Sequence, residues 1–94
     1  MDSLLLPFGN ERFCVLNILK LHQIKVKDET YISLSQQEIA DLAHFSKSKT
    51  NKILKFLLEN HYIESYKNMR GKYKITNKGE IVLDAFLKSY LTCG

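Results

Sequence analysis

Between residues 11 and 25, Phe13, Leu16, Leu19, Leu21 and Ile24 recur at helical intervals, and Cys14, Val15 and Ile18 add a second apolar side. The spacing predicts a helix with Asn10 as its N-cap, buried on more than one face. In a chain of 94 residues, a second subunit is one way to cover such a helix. A charged loop from Lys25 to Glu29 follows, and then the β-prone triplet Thr30-Tyr31-Ile32.

Ser35-Gln36-Gln37-Glu38 has the form of a capping box, in which the serine hydroxyl and the Glu38 carboxylate each accept from the other residue's amide. It opens a helix whose buried stripe is Ile39, Leu42 and Ala43, with Ala40 small enough for a crossing helix to approach. After His44-Phe45, Ser46 is a second N-cap, opening a helix over about 47–59. So short a break predicts a helix-turn-helix. At about 100° per residue, Thr50, Ile53, Leu54 and Leu57 face inward on this second helix, while Ser48, Asn51, Lys52, Lys55 and Glu59 face outward.

Asn60-His61 ends the helix, with Asn60 suited to the left-handed cap conformation. Tyr62 to Tyr66 and Lys72 to Thr76 alternate as strands around the turn Asn68-Met69-Arg70-Gly71, giving a hairpin over about 62–76. Thr76 caps a last helix over about 77–91. Ile81, Val82, Ala85 and Phe86 line one side of it, and Leu83, Leu87, Tyr90 and Leu91 another. The result is one α+β, mostly helical domain spanning 1–94, without linker or repeat.

Charge sharpens this picture. The chain carries +4 overall, yet residues 46–74 hold eight basic side chains against two acidic ones, so that segment exceeds the whole net charge. A cationic outer helix face that starts at a helix N-terminus, beside a hairpin bearing Lys67, Arg70 and Lys72, suits a polyanion and a duplex major groove. Asn51 and Ser48 are candidate base readers, and the lysines candidate phosphate contacts. The four tyrosines of the strand segments, Tyr31, Tyr62, Tyr66 and Tyr73, read as sheet packing rather than as a platform for single strands.

Enzyme chemistry finds no foothold. The sequence has no glycine-rich phosphate loop and no supported nucleophile with its base, so no catalytic residue and no cofactor are expected. His22, His44 and His61 do not fall at ligand spacing, and Cys14 and Cys93 lie 79 positions apart, so neither a metal site nor a disulfide is expected. The apolar run Phe13 to Leu21 is interrupted by Asn17 and Lys20 and is shorter than the ~20 residues that a bilayer requires. No basic residue precedes Leu4-Leu5-Leu6, which does not read as a leader. A cytoplasmic protein without a membrane partner is the expectation.

Three stretches carry a family resemblance: the segment from Leu34 to Ala43, the segment from Phe45 to Leu54, and the pair formed by Asn60-His61-Tyr62-Ile63-Glu64 and Ile75-Thr76-Asn77-Lys78-Gly79-Glu80. Together they resemble the winged helix-turn-helix DNA-binding domains of bacterial transcription regulators, MarR-like ones especially, over roughly residues 11–91. That family commonly has glycine where this chain has His61. The resemblance implies a homodimer on double-stranded DNA, with the terminal helices as dimerisation elements. Ser46, Lys47, Ser48, Asn51, Lys52 and Lys55 would meet the major groove, and Lys67, Arg70, Lys72 and Lys74 would form the wing. Phe13, Val15, Ile18, Leu83, Leu87 and Leu91 would lie at the dimer interface. A winged helix used as a protein-interaction module, and plasmid or phage replication-origin binding, stay open as alternatives. Nothing in the sequence identifies a small-molecule effector.

Overall fold

The computed structural model describes the backbone of residues 9–93 and the side chains of residues 9–88. Helix α1 (Asn10–Leu21) leads into strands β1 (Gln23–Val26) and β2 (Glu29–Ser33). Helices α2 (Gln36–Ala43) and α3 (Lys47–Glu59) follow, then β3 (Ile63–Ser65), β4 (Lys72–Ile75) and α4 (Asn77–Cys93). The strands form one antiparallel sheet in the order β1-β2-β4-β3. Ile32, Ile63, Tyr73 and Ile75 project from its inner side into a core shared with Val15, Leu16 and Leu19 of α1. Ile39, Ile53, Leu54, Leu57, Leu83 and Phe86 of the other helices complete that core.

The caps fix where the helices begin and turn. Ser35 Oγ accepts from the Glu38 amide at 3.1 Å while Glu38 Oε1 accepts from the Ser35 amide at 2.9 Å, closing the capping box at α2. Ser46 Oγ accepts from the Lys49 amide at 3.1 Å at the start of α3. Between them, His44 takes a left-handed conformation (φ 59), so the chain reverses in three residues. At the end of α3 the left-handed residue is His61 (φ 61), whereas Asn60, the residue expected there, has φ −99. The amides of His61 and Tyr62 reach back to Leu58 O and Leu57 O at 3.2 and 2.9 Å, the paired bonds of a Schellman ending. His61 thus holds the backbone position for which glycine is the usual occupant.

The amino-terminal region departs from the sequence reading. Helix α1 starts after Gly9 (φ 88), which rather than Asn10 occupies the N-cap, and it stops at Leu21 instead of about 25. Residues 23–33 are not a loop and one short strand but a complete hairpin, with Ile24 opposite Tyr31 and Val26 opposite Glu29. Ile24 continues the helical spacing from Leu21, which hides the strand. The turn at Lys27-Asp28 places Lys27 at φ 58 without the Asn-Gly or Asp-Gly pair that normally announces such a hairpin.

The expected dimer residues also redistribute. Val15 (0% exposed), Leu83 (3%) and Ile18 are closed within the protomer's own core, and Phe13 is stacked on Phe86 with ring centroids 4.4 Å apart. The two-sided character of α1 is therefore satisfied internally, by α2 and α3 on one side and α4 on the other. Leu87 remains exposed, and the side chain of Leu91 lies outside the described residues.

Candidate nucleic-acid interface

Helix α3 turns its apolar stripe inward through Thr50, Ile53, Leu54 and Leu57, all buried, and leaves Lys47, Ser48, Asn51, Lys52, Lys55 and Glu59 exposed. Ser46, the cap, is exposed as well. Among the described residues Lys47, Lys52 and Lys55 make no ion pair, so their charge is available to an outside anion. No acidic side chain stands in the first turn of α3, where the helix dipole and free amides favour a phosphate. Helix α2 differs, since the Glu38 carboxylate already occupies its first turn.

The wing turns on two successive reversals. Lys67 and Asn68 both have positive φ (51 and 56), and the Met69 amide donates to Tyr66 O at 2.9 Å, the φ signature of a type I′ turn. Gly71 (φ 75) then closes a second turn, with the Lys72 amide donating to Met69 O at 3.3 Å. Arg70 is carried exposed at this tip. It and Gly71 line an open cleft of about 680 Å³ together with Lys47 of α3 and with Gln36, Gln37 and Glu38 of α2. The start of α3 and the wing thus border one concave surface, and Lys47 and Arg70 are the expected contact residues brought together in it. The sequence places the two glutamines inside the capping box but gives them no part in a site; their position in the first turn of α2 is the signal that could have found them.

The other wing residues divide. Lys67 is turned back onto Glu29, Nζ to Oε1 at 3.1 Å, and lies 5.3 Å from the centroid of Tyr66. Lys72 sits over the ring of Tyr31 at 5.1 Å. Lys74 is exposed on the outer face of the sheet, in register with Glu64. Tyr31 and Tyr66 stack at 4.6 Å, which ties β2 to the wing and leaves the wing braced rather than free. Tyr62 stacks with Phe56 at 6.0 Å, and Tyr73 is buried, where desolvation pushes its hydroxyl up from the ordinary 10.0.

The brace has an electrostatic centre. Hydrogen bonds from the Tyr66 hydroxyl and then from Lys67 hold the Glu29 carboxyl below its ordinary 4.5. The hydrogen bond to Glu29 raises the Tyr66 hydroxyl, and hydrogen bonds to Glu29 and then Tyr66 raise Lys67 above 10.5. Among the described residues no group of His, Cys, Asp or Glu side chains is arranged to hold a metal ion, and no helix is long and apolar enough to cross a membrane.

No family model and no curated protein sequence matches the chain. Solved structures do. The Staphylococcus aureus MepR–DNA complex superposes with a TM-score of 0.66 and 24% identity, covering 90% of this chain and 66% of MepR. The reduced CO-sensing protein of R. rubrum gives 0.66 and 23% identity over 82% of this chain. A CRP-family transcriptional regulator from Thermus thermophilus gives 0.61 and 17% over 78%. The chain spans 38% of the length of each of the latter two proteins. Element order, sheet topology, capped helix-turn-helix and braced hairpin, together with these neighbours, give the chain a winged helix-turn-helix fold of the kind that transcription regulators carry.

Proposed function

We propose that the chain is a homodimeric, sequence-specific double-stranded DNA-binding protein that regulates transcription. In this reading α3 enters the major groove, and the wing tip at Arg70 reaches the flanking backbone or minor groove. The observation that carries it is the unpaired cationic face of α3 continuing into the cleft with Arg70, the form of surface that a phosphate backbone requires. The MepR neighbour, solved on DNA, supports it through the shared fold. Asn51 and Ser48 are the base readers, since an asparagine amide can bond adenine bidentately. Lys47, Lys52 and Lys55 fix the register on phosphates. Lys67 and Lys72, held by Glu29 and Tyr31, support the wing instead of meeting DNA.

The homodimer forms, in this proposal, along α1 and α4. Leu21 (71% exposed), Ile81 (67%) and Leu87 (47%) stand out there beside a shallow groove of about 440 Å³. A twofold pair would present two copies of α3 to half-sites about one helical turn apart, ~34–36 Å. The test is charge reversal. Lys52→Glu with Lys55→Glu abolishes the gel shift of a bound duplex while far-ultraviolet circular dichroism is unchanged, because both positions face solvent. An unchanged gel shift removes α3 from the interface.

A further inference from the structure

Lys49 stands apart from the other cations of α3. It lies one helical turn before Lys52 and Ile53, on the edge between the buried stripe and the outward face, and seven residues before Phe56 on the same edge. Two neighbouring side chains of α1 grip that edge. Glu11 Oε2 is 2.6 Å from Lys49 Nζ, and the Arg12 guanidinium lies 3.6 Å from the centroid of the Phe56 ring. Lys49 Nζ is also 5.1 Å from the Phe45 ring. The first turn of α1 is thereby laid along the flank of α3, from Lys49 in its first turn to Phe56 two turns later. Both partners of the ion pair are about half exposed, so the pair lies at the solvent-facing border of α3.

We infer that Glu11 acts as an internal counterion that withholds Lys49 from the duplex, so that the first turn of α1 sets how many phosphates α3 neutralises. This rests on the DNA-binding reading above and adds a restraint to it. In the free chain the Glu11 carboxylate occupies Lys49. Without it, Lys49 is a fourth lysine on the border of the reading face, within one turn of Lys52. Arg12 keeps α1 in place on Phe56, so removing the carboxylate releases the cation without releasing the helix.

The experiment is fluorescence anisotropy on a labelled mixed-sequence duplex between 50 and 200 mM KCl, with the unaltered chain, Glu11→Gln, Lys49→Gln and the double variant. Glu11→Gln is expected to bind more tightly, with a log–log salt slope steeper by about 1.8, the contribution of one further phosphate from each protomer of the dimer. Its advantage over the unaltered chain then shrinks by about twelvefold across that salt range. Lys49→Gln is expected to match the unaltered chain, and the double variant to match Lys49→Gln. Two results overturn the inference while leaving the DNA-binding reading intact: an unchanged slope in Glu11→Gln, or a gain that persists in the Lys49→Gln background. An unaltered chain that fails to bind any duplex overturns both.

Discussion

Thr50 lies wholly buried in the stripe of α3, and its hydroxyl has no hydrogen-bond partner among the described residues. A buried hydroxyl without a partner costs about 1–3 kcal/mol. Thr50→Val keeps the branched shape and removes the orphaned group, so it should raise stability by about 1 kcal/mol, read as a higher melting temperature. A drop would mean that the hydroxyl has a partner in solution. Glu29 offers a second test at this scale. Its carboxyl is depressed first by the Tyr66 hydroxyl and then by Lys67, so its contribution is present above the unfolded value and is lost as pH falls through the folded one. Carbon-13 titration should place Glu29 below 4.5, and Tyr66→Phe should move the midpoint upward. A midpoint that stays put in Tyr66→Phe removes the tyrosine from the brace. Single residues are unevenly legible in the sequence. Both serine caps and the Thr76 cap, whose Oγ accepts from the Gly79 amide at 3.2 Å, follow from local chemistry. The capture of Lys67 by Glu29 joins residues 38 positions apart, and no local rule reveals it.

Among the elements, the joint between α4 and the wing is the least forgiving. Thr76 Oγ1 donates to His61 O at 2.6 Å, and the Thr76 amide donates to Tyr62 O at 3.1 Å, which draws the start of α4 against the end of α3. Gly79 sits in that contact, and a Cβ there would collide with the Tyr62 carbonyl and the Ile75 methyl. Gly79→Ala should therefore destabilise the fold by more than ~1 kcal/mol, despite alanine's better helix propensity, which by itself favours the variant by about 1 kcal/mol. A denaturant melt showing a gain would mean that the joint relaxes. At this scale the helices read well because their apolar periods are long and capped. The β1–β2 hairpin is hidden for a physical reason. Its outer edge leaves Ile24 and Val26 exposed, so alternation on β1 marks no buried face, and Leu21 to Ile24 imitates one more helical turn.

At the scale of the whole molecule, a protomer 37 × 32 × 23 Å in extent is of the size that sets two side-by-side reading helices one turn of DNA apart. The proposed seam uses Ile81 and Leu87, because Val15, Ile18 and Leu83 are consumed by the core. Sequence periodicity marks these positions as apolar without saying which covering they receive, and that is why seam residues are not separable from core residues without the structure. Ile81→Asp with Leu87→Asp should yield a folded monomer by sedimentation velocity; an unaltered chain that already sediments as a monomer ends the dimer proposal.

The central claim is that the outward face of α3 and the wing tip neutralise DNA phosphates. Its most direct measurement is the salt dependence of binding of the unaltered chain to duplex DNA. With Lys47, Lys52, Lys55 and Arg70 of each protomer engaged, a dimer should show a log–log slope of about −7. A slope near zero, at any affinity, would contradict the account.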